Sequence, residues 1–180
     1  WGAAVVAIIL AGLLDGIAGV DQVVIAARNS PRNVVISGDR VAVAGVMTEL
    51  DRRGLTAVSL NVAHAFHSTL MTPVVDELRR VAGTVRFRAP RIPIVSNVTG
   101  DLMGEELATA DYWCEQVVRP VLFARGLDVL RRAGYDTFLE LGPHPVLSEI
   151  AGEAESGNGA VWIPSLRRGR PEWEGVLDSV

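Results

Sequence analysis

Four apolar, β-branched runs, residues 2–8 (GAAVVAI), 22–27 (QVVIAA), 33–37 (NVVIS) and 56–62 (TAVSLNV), dominate the first third of the chain. Runs this short are strands when turn residues bound them. The second and third are separated by a turn expected at Asn29, Ser30 and Pro31. Between the third and fourth lies DRVAVAGVMTELDRRG, which sets Val43, Val46, Met47 and Leu50 at helical spacing. Gly38-Asp39 offers that helix an N-cap, and Gly54 a stop. A second short helix is expected at 10–17, closed by Gly19. The order is then β-α-β-β-α-β, the ferredoxin-like arrangement.

From Leu70 the pattern changes to longer helices and single strands. Helices are expected at 71–82, 109–117, 121–133 and 144–154. Extended segments are expected at 93–97, 137–141 and 161–164, a loop at 153–159, and a helical tail from Glu172. The fold class is α/β.

Apolar residues make up 49 % of the 180, enough for a sizeable core, and the net charge is −4. A nucleic-acid binder would show a basic stripe instead. All 17 basic residues are arginine, which excludes lysine Schiff-base and P-loop chemistry. Cys114 stands alone, so no internal disulfide or cysteine-rich metal site can form, and it reads as a small buried apolar residue. That usage suits a reducing cytoplasm. The apolar run 2–14 is too short to span a membrane, which takes about 20 residues. No basic segment precedes it, so it makes a poor signal peptide. The chain begins at Trp1, which suggests a piece of a longer polypeptide.

Two of the three histidines, His64 and His67, flank Phe66 at the end of the fourth run. Strand ends are where α/β proteins place working side chains, and an imidazole there can be a general base. A base needs a nucleophile, yet the chain has no G-x-S-x-G elbow. H-A-F-H is too short for zinc spacing, so no metal is expected. His144, in GPHP, reads as a loop residue before a helix.

Five segments in order, VAHAFHSTLM, RIPIVSNVTG, YWCEQVVRPVLF, TFLELGPHPVLS and SLRRGRPEW, resemble the acyltransferase domain of modular type I polyketide synthases. The family is similar to the malonyl-CoA:acyl carrier protein transacylases. The resemblance implies a ferredoxin-like small subdomain over 1–62 and the C-terminal part of an α/β-hydrolase-like large subdomain over 63–155. Residues 156–180 would start the following linker.

It further implies ping-pong acyl transfer. A serine takes a malonyl-type group from coenzyme A and yields it to the phosphopantetheine thiol of an acyl carrier protein, with no bound cofactor. His67 matches the family's base, and Gln116 the residue whose backbone carbonyl orients it. H-A-F-H accompanies malonyl units in the family, so His64 and Phe66 imply malonyl preference. Asn97 is a pocket-lining candidate. The family's serine, oxyanion-hole glutamine and carboxylate-gripping arginine have no match here, so the chain is expected to be inactive alone and to fold poorly. The neighbouring ketosynthase and linker would be further partners. Two alternatives are a non-catalytic piece that docks a carrier protein and a fatty-acid-type transacylase. An unrelated hydrolase half is a third.

Overall fold

A computed structural model describes residues 3–9, 22–60, 62, 64–154 and 159–171. The helices expected at 10–17 and from Glu172 lie outside them, as does most of the loop expected at 153–159. The chain divides into two compact units at Val129/Leu130.

The first unit begins with an antiparallel sheet of β1 (Ala3–Ile9), β2 (Val23–Ser30), β3 (Asn33–Asp39) and β4 (Ala57–Leu60) in the order β2-β3-β1-β4. Between β3 and β4, α1 (Arg40–Arg52) packs on the sheet. Its buried Val43, Val46 and Leu50 meet Val23, Val34 and Ile36, with Met47 partly buried beside them. The alternation of strand residues and the i, i+3, i+7 spacing of the helix thus converge on one apolar layer.

The ends of α1 follow from local chemistry. Asp39 Oδ1 accepts from the Val41 and Ala42 N–H groups at 2.8 and 3.1 Å, satisfying donors the helix cannot. At the other end Gly54 takes φ +72°, a conformation that favours glycine. Leu55 N–H then donates to Leu50 O and Gly54 N–H to Asp51 O, a Schellman closure. Gly38 is fixed by proximity, since a Cβ there would lie 2.2 Å from Gln22 O.

The turn expected at Asn29–Pro31 is shorter than its composition suggests. β2 continues through Ser30, and Ser30 pairs with Asn33, leaving Pro31 and Arg32 as the loop. Two bulges, at Ala26 and Asn29, absorb the extra residues. Asn29 Nδ2 donates to Asn33 Oδ1, and Ser30 Oγ accepts from Arg32 N–H. The turn-forming side chains therefore brace the hairpin from inside its strands.

Beyond the sheet, a 3-10 turn (Thr69–Met71) leads into α2 (Thr72–Ala82), which packs on α3 (Ala110–Val118). Cys114 is buried there, its Sγ 3.8 Å from Val75 O. The strand expected at 93–97 is only β5 (Ile94–Val95), paired with β6 (Leu102–Met103). It is not the buried strand expected, because Ile94 is exposed. The helix expected at 121–133 starts later, as α4 (Phe123–Arg132), because Val121 bridges to Ala27 instead.

In the second unit, β7 (Thr137–Glu140) pairs in parallel with β8 (Val161–Pro164), and Phe138 stacks on Trp162 at 4.4 Å. The start of α5 (Val146–Ala154) is capped by Glu140, whose carboxylate accepts from Leu147 and Ser148 N–H at 3.1 and 2.8 Å. Partial burial acts to raise the Glu140 carboxyl, but hydrogen bonds from Ser148, Leu147 and Val146 outweigh it and hold the group below 4.5.

Asp39→Ala should cost about 1 kcal/mol of stability, read by denaturant titration. Glu140 has a depressed folded value, so its contribution is complete above the unfolded value near 4.5 and is lost as pH falls through the folded one. Glu140→Gln should therefore lower stability at neutral pH and flatten its dependence on acid, checked by thermal unfolding at stepped pH.

Candidate active site

Residues 64–68 leave the sheet after β4 and bend sharply. The bend is held by Ser68, a buried residue whose Oγ donates to Ala65 O at 2.6 Å and accepts from Leu70 N–H at 3.3 Å. Within it His67 has φ +61°, among the described residues the one non-glycine with positive φ. A residue with a Cβ in this region costs on the order of 1 kcal/mol and persists only where surrounding contacts fix it.

Those contacts come from the end of α3. His67 N–H donates to Val117 O at 2.8 Å. Its ring Nδ1 lies 2.9 Å from both Gln116 O and Arg119 O. Two carbonyl oxygens can only accept, so Nδ1 carries a proton, and in the neutral ring Nε2 holds the lone pair. The half-buried imidazole is thus clamped by one nitrogen and offers the other as a proton acceptor. Among the described residues no carboxylate touches it, and none group with other ligands to hold a metal ion.

Phe66 is 47 % exposed, open enough to meet a ligand. Its ring stands edge-on to His64 at 6.1 Å and tilted to His67 at 6.5 Å. His64, Phe66, His67 and Gln116 are therefore neighbours. Asn97 bonds elsewhere, its O accepting from Leu122 N–H at 2.8 Å, and its side chain is exposed. Beside the bend opens a cavity of about 310 Å³, bounded by Ser37, Asp39, Ser68 and Leu70. His144 precedes α5 in the other unit, with a buried Nδ1 that has no hydrogen-bond partner among the described residues.

Sequence reading reached Gln116 by its place in QVVRPV but passed over Arg119, Val117 and Ser68. The first two act through main-chain oxygens, which any residue type supplies. A signal was present in Pro120, since a proline after a helical run marks where carbonyls are left without partners. Because the bend demands positive φ, His67→Gly should leave the chain about 1 kcal/mol more stable than His67→Ala, measured by urea unfolding of the two variants.

An acyl transferase domain model matches residues 6–178. Polyketide synthase GfsA of Streptomyces halstedii is 42 % identical over 159 residues, 87 % of this chain and 2 % of that protein. Spectinabilin polyketide synthase system protein NorB of Streptomyces orinoci is 41 % identical over 164 residues, 88 % of this chain and 8 % of its own. Among solved structures, the acyltransferase domain from the second module of the salinomycin polyketide synthase superposes with TM-score 0.89 at 38 % identity, covering 99 % of this chain and 42 % of that one. Malonyl-CoA:acyl carrier protein transacylase (FabD) from Xanthomonas oryzae superposes at 0.83 with 27 % identity, covering 98 % and 57 %. The chain thus spans a small part of the curated relatives and about half of the solved ones. With a match over nearly its whole length and relatives that are polyketide synthases, the chain belongs to the acyl transferase domain family.

Proposed function

We propose that this chain is the base-bearing part of a polyketide synthase acyltransferase domain that selects malonyl units from malonyl-CoA and passes them to an acyl carrier protein. The observation that carries the reading is His67 held by Nδ1 on backbone carbonyls, with Nε2 left to accept a proton. In the proposed reaction a serine outside this chain gives its proton to His67 Nε2 and attacks the malonyl thioester. Coenzyme A leaves as the thiol, taking that proton. The phosphopantetheine thiol of the carrier protein then passes its proton to His67 and attacks the serine ester; the malonyl thioester forms on the carrier protein, the ester C–O bond breaks, and His67 returns the proton to the serine oxygen. The carbonyls of Gln116 and Arg119 fix the ring, as a carboxylate does in other Ser-His systems. This reaction calls for no bound cofactor; the thioester itself is the substrate.

Phe66 and His64 would shape the acyl pocket. A phenyl ring fills the space an α-methyl group would need, so malonyl is preferred over methylmalonyl. A single methyl is worth only about 1–3 kcal/mol, so the preference is graded.

The sheet order β4-β1-β3-β2 supports a ferredoxin-like small subdomain over 1–62. Residues 63–155 would be the returning part of an α/β-hydrolase-like large subdomain and 156–180 the start of a linker towards neighbouring synthase domains. The apolar side chains exposed on and beside β7, β8 and α5, among them Leu139, Leu141, Leu147 and Val161, support a partner layer formed by the rest of such a domain. Lacking that layer and a serine elbow, the chain is proposed to be inactive alone. A cytoplasmic setting fits the single reduced, buried Cys114. A carrier-protein docking piece is the competing reading, and it gives His67 no reason for a fixed tautomer.

The test uses the parent synthase's whole acyltransferase domain, offered equal malonyl-CoA and methylmalonyl-CoA, with the intact protein mass read over time. A malonyl adduct should dominate. His67→Ala should slow its formation roughly 10²- to 10⁴-fold. Phe66→Ser should move the malonyl:methylmalonyl ratio about 10- to 200-fold towards methylmalonyl. A folded domain that forms no adduct would favour docking; a methylmalonyl adduct in the wild type would end the selectivity assignment.

A further inference from the structure

The carbonyls that hold His67 are free for a reason that lies in the next few residues. A helix carbonyl ordinarily accepts from the N–H four residues on. For Gln116 that residue is Pro120, which has no N–H. For Val117 it is Val121, whose N–H goes instead to Ala26 O on β2 at 2.8 Å. For Val118 it is Leu122, whose N–H goes to Asn97 O at 2.8 Å. The last regular bond of α3 is Arg119 N–H to Glu115 O at 2.8 Å. Arg119 itself is extended, φ −84° and ψ 149°, the conformation a following proline imposes. That turn aims Arg119 O at His67 Nδ1 beside Gln116 O, both at 2.9 Å.

The geometry points to Pro120 as a positioning residue for His67: by withholding an N–H from Gln116 O and forcing Arg119 out of the helix, it builds the carbonyl pair that fixes the imidazole with its proton on Nδ1. Pro120 needs no contact with substrate for this. Its influence is passed through main-chain oxygens of two other residues. The inference rests on the proposed acyl transfer only for its consequence in catalysis; the tautomer itself is a property of this chain.

The test reads that tautomer directly. In the parent synthase's whole acyltransferase domain, ¹⁵N-histidine labelling gives a sparse spectrum, and loss of signals in His67→Asn assigns the ring. Three proteins are compared: wild type, Pro120→Ala, and Pro120→N-methylalanine, a tertiary amide that again lacks the N–H, disfavours the helical conformation at Arg119 and leaves Arg119 O an amide carbonyl. The wild type should show the Nδ1–H tautomer. Pro120→Ala restores a donor to Gln116 O and should lower the Nδ1–H:Nε2–H ratio roughly two- to tenfold, the worth of one competed hydrogen bond. N-methylalanine should return the ratio towards wild type. An unchanged ratio in a folded Pro120→Ala overturns the inference, as does an N-methylalanine variant that loses as much as the alanine. If Pro120→Ala does not fold, N-methylalanine decides alone: a retained Nδ1–H tautomer supports the missing N–H as the cause, and a lost one overturns it.

In the parent synthase's whole acyltransferase domain, Pro120→Ala should lower kcat for self-acylation with little change in KM, in step with the tautomer ratio. A wild-type domain that does not acylate would sink the acyl-transfer reading and leave the tautomer spectra to decide Pro120.

Discussion

The end of α3 bonded to His67 is the contact on which the candidate site depends. A helix C-terminus leaves carbonyls without donors, and a chain must supply partners for them. Here the partner is one residue from a distant bend, which offers both its backbone N–H and its ring N–H. The same three bonds satisfy the helix, hold an unfavourable backbone angle in place and select one tautomer of an imidazole. Structural and chemical demands are met by the same atoms, so the bend cannot relax without disturbing both.

The surroundings serve that contact. Ser68 braces the bend from within, while Val121 and Leu122 are drawn away from α3 by Ala26 O and Asn97 O. The latter two bonds tie the segment after Pro120 to β2 and to the turn after β5. The sheet and α1 form the rigid apolar layer behind β2, built from Val23, Val34, Ile36, Val43, Val46 and Leu50. A ring oriented by main chain attached to such a layer needs no carboxylate to steady it. Peptide carbonyls also remain acceptors at every pH, so the orientation does not depend on the charge of a third side chain.

The second unit is held together differently. Its parallel pair β7–β8 is short and leaves Leu139, Leu141 and Val161 exposed, although parallel strands are ordinarily covered on both faces. Its internal order comes from the Phe138–Trp162 stack and from the Glu140 carboxylate at the start of α5. The chain covers about half of the solved acyltransferase structures it resembles.

The sequence by itself determined the sheet's strands, the spacing of α1 and its caps, because these rest on nearest-neighbour rules: residue alternation, i, i+3 spacing, an aspartate at Asp39 and a glycine at Gly54. It also carried the ordered motifs that mark the family. It misjudged the hairpin at Asn29–Pro31, where pairing with β3 overrode turn composition, and the start of α4, where Val121 found a partner on β2. Tertiary structure alone decided the proton's place on His67 and the positive φ that aims the ring. Both arise from oxygens of residues 116, 117 and 119, some fifty positions along the chain, and a peptide carbonyl leaves no side-chain signature to read. Pro120 is the visible trace of that arrangement, but only the fold shows which ring its missing N–H leaves room for.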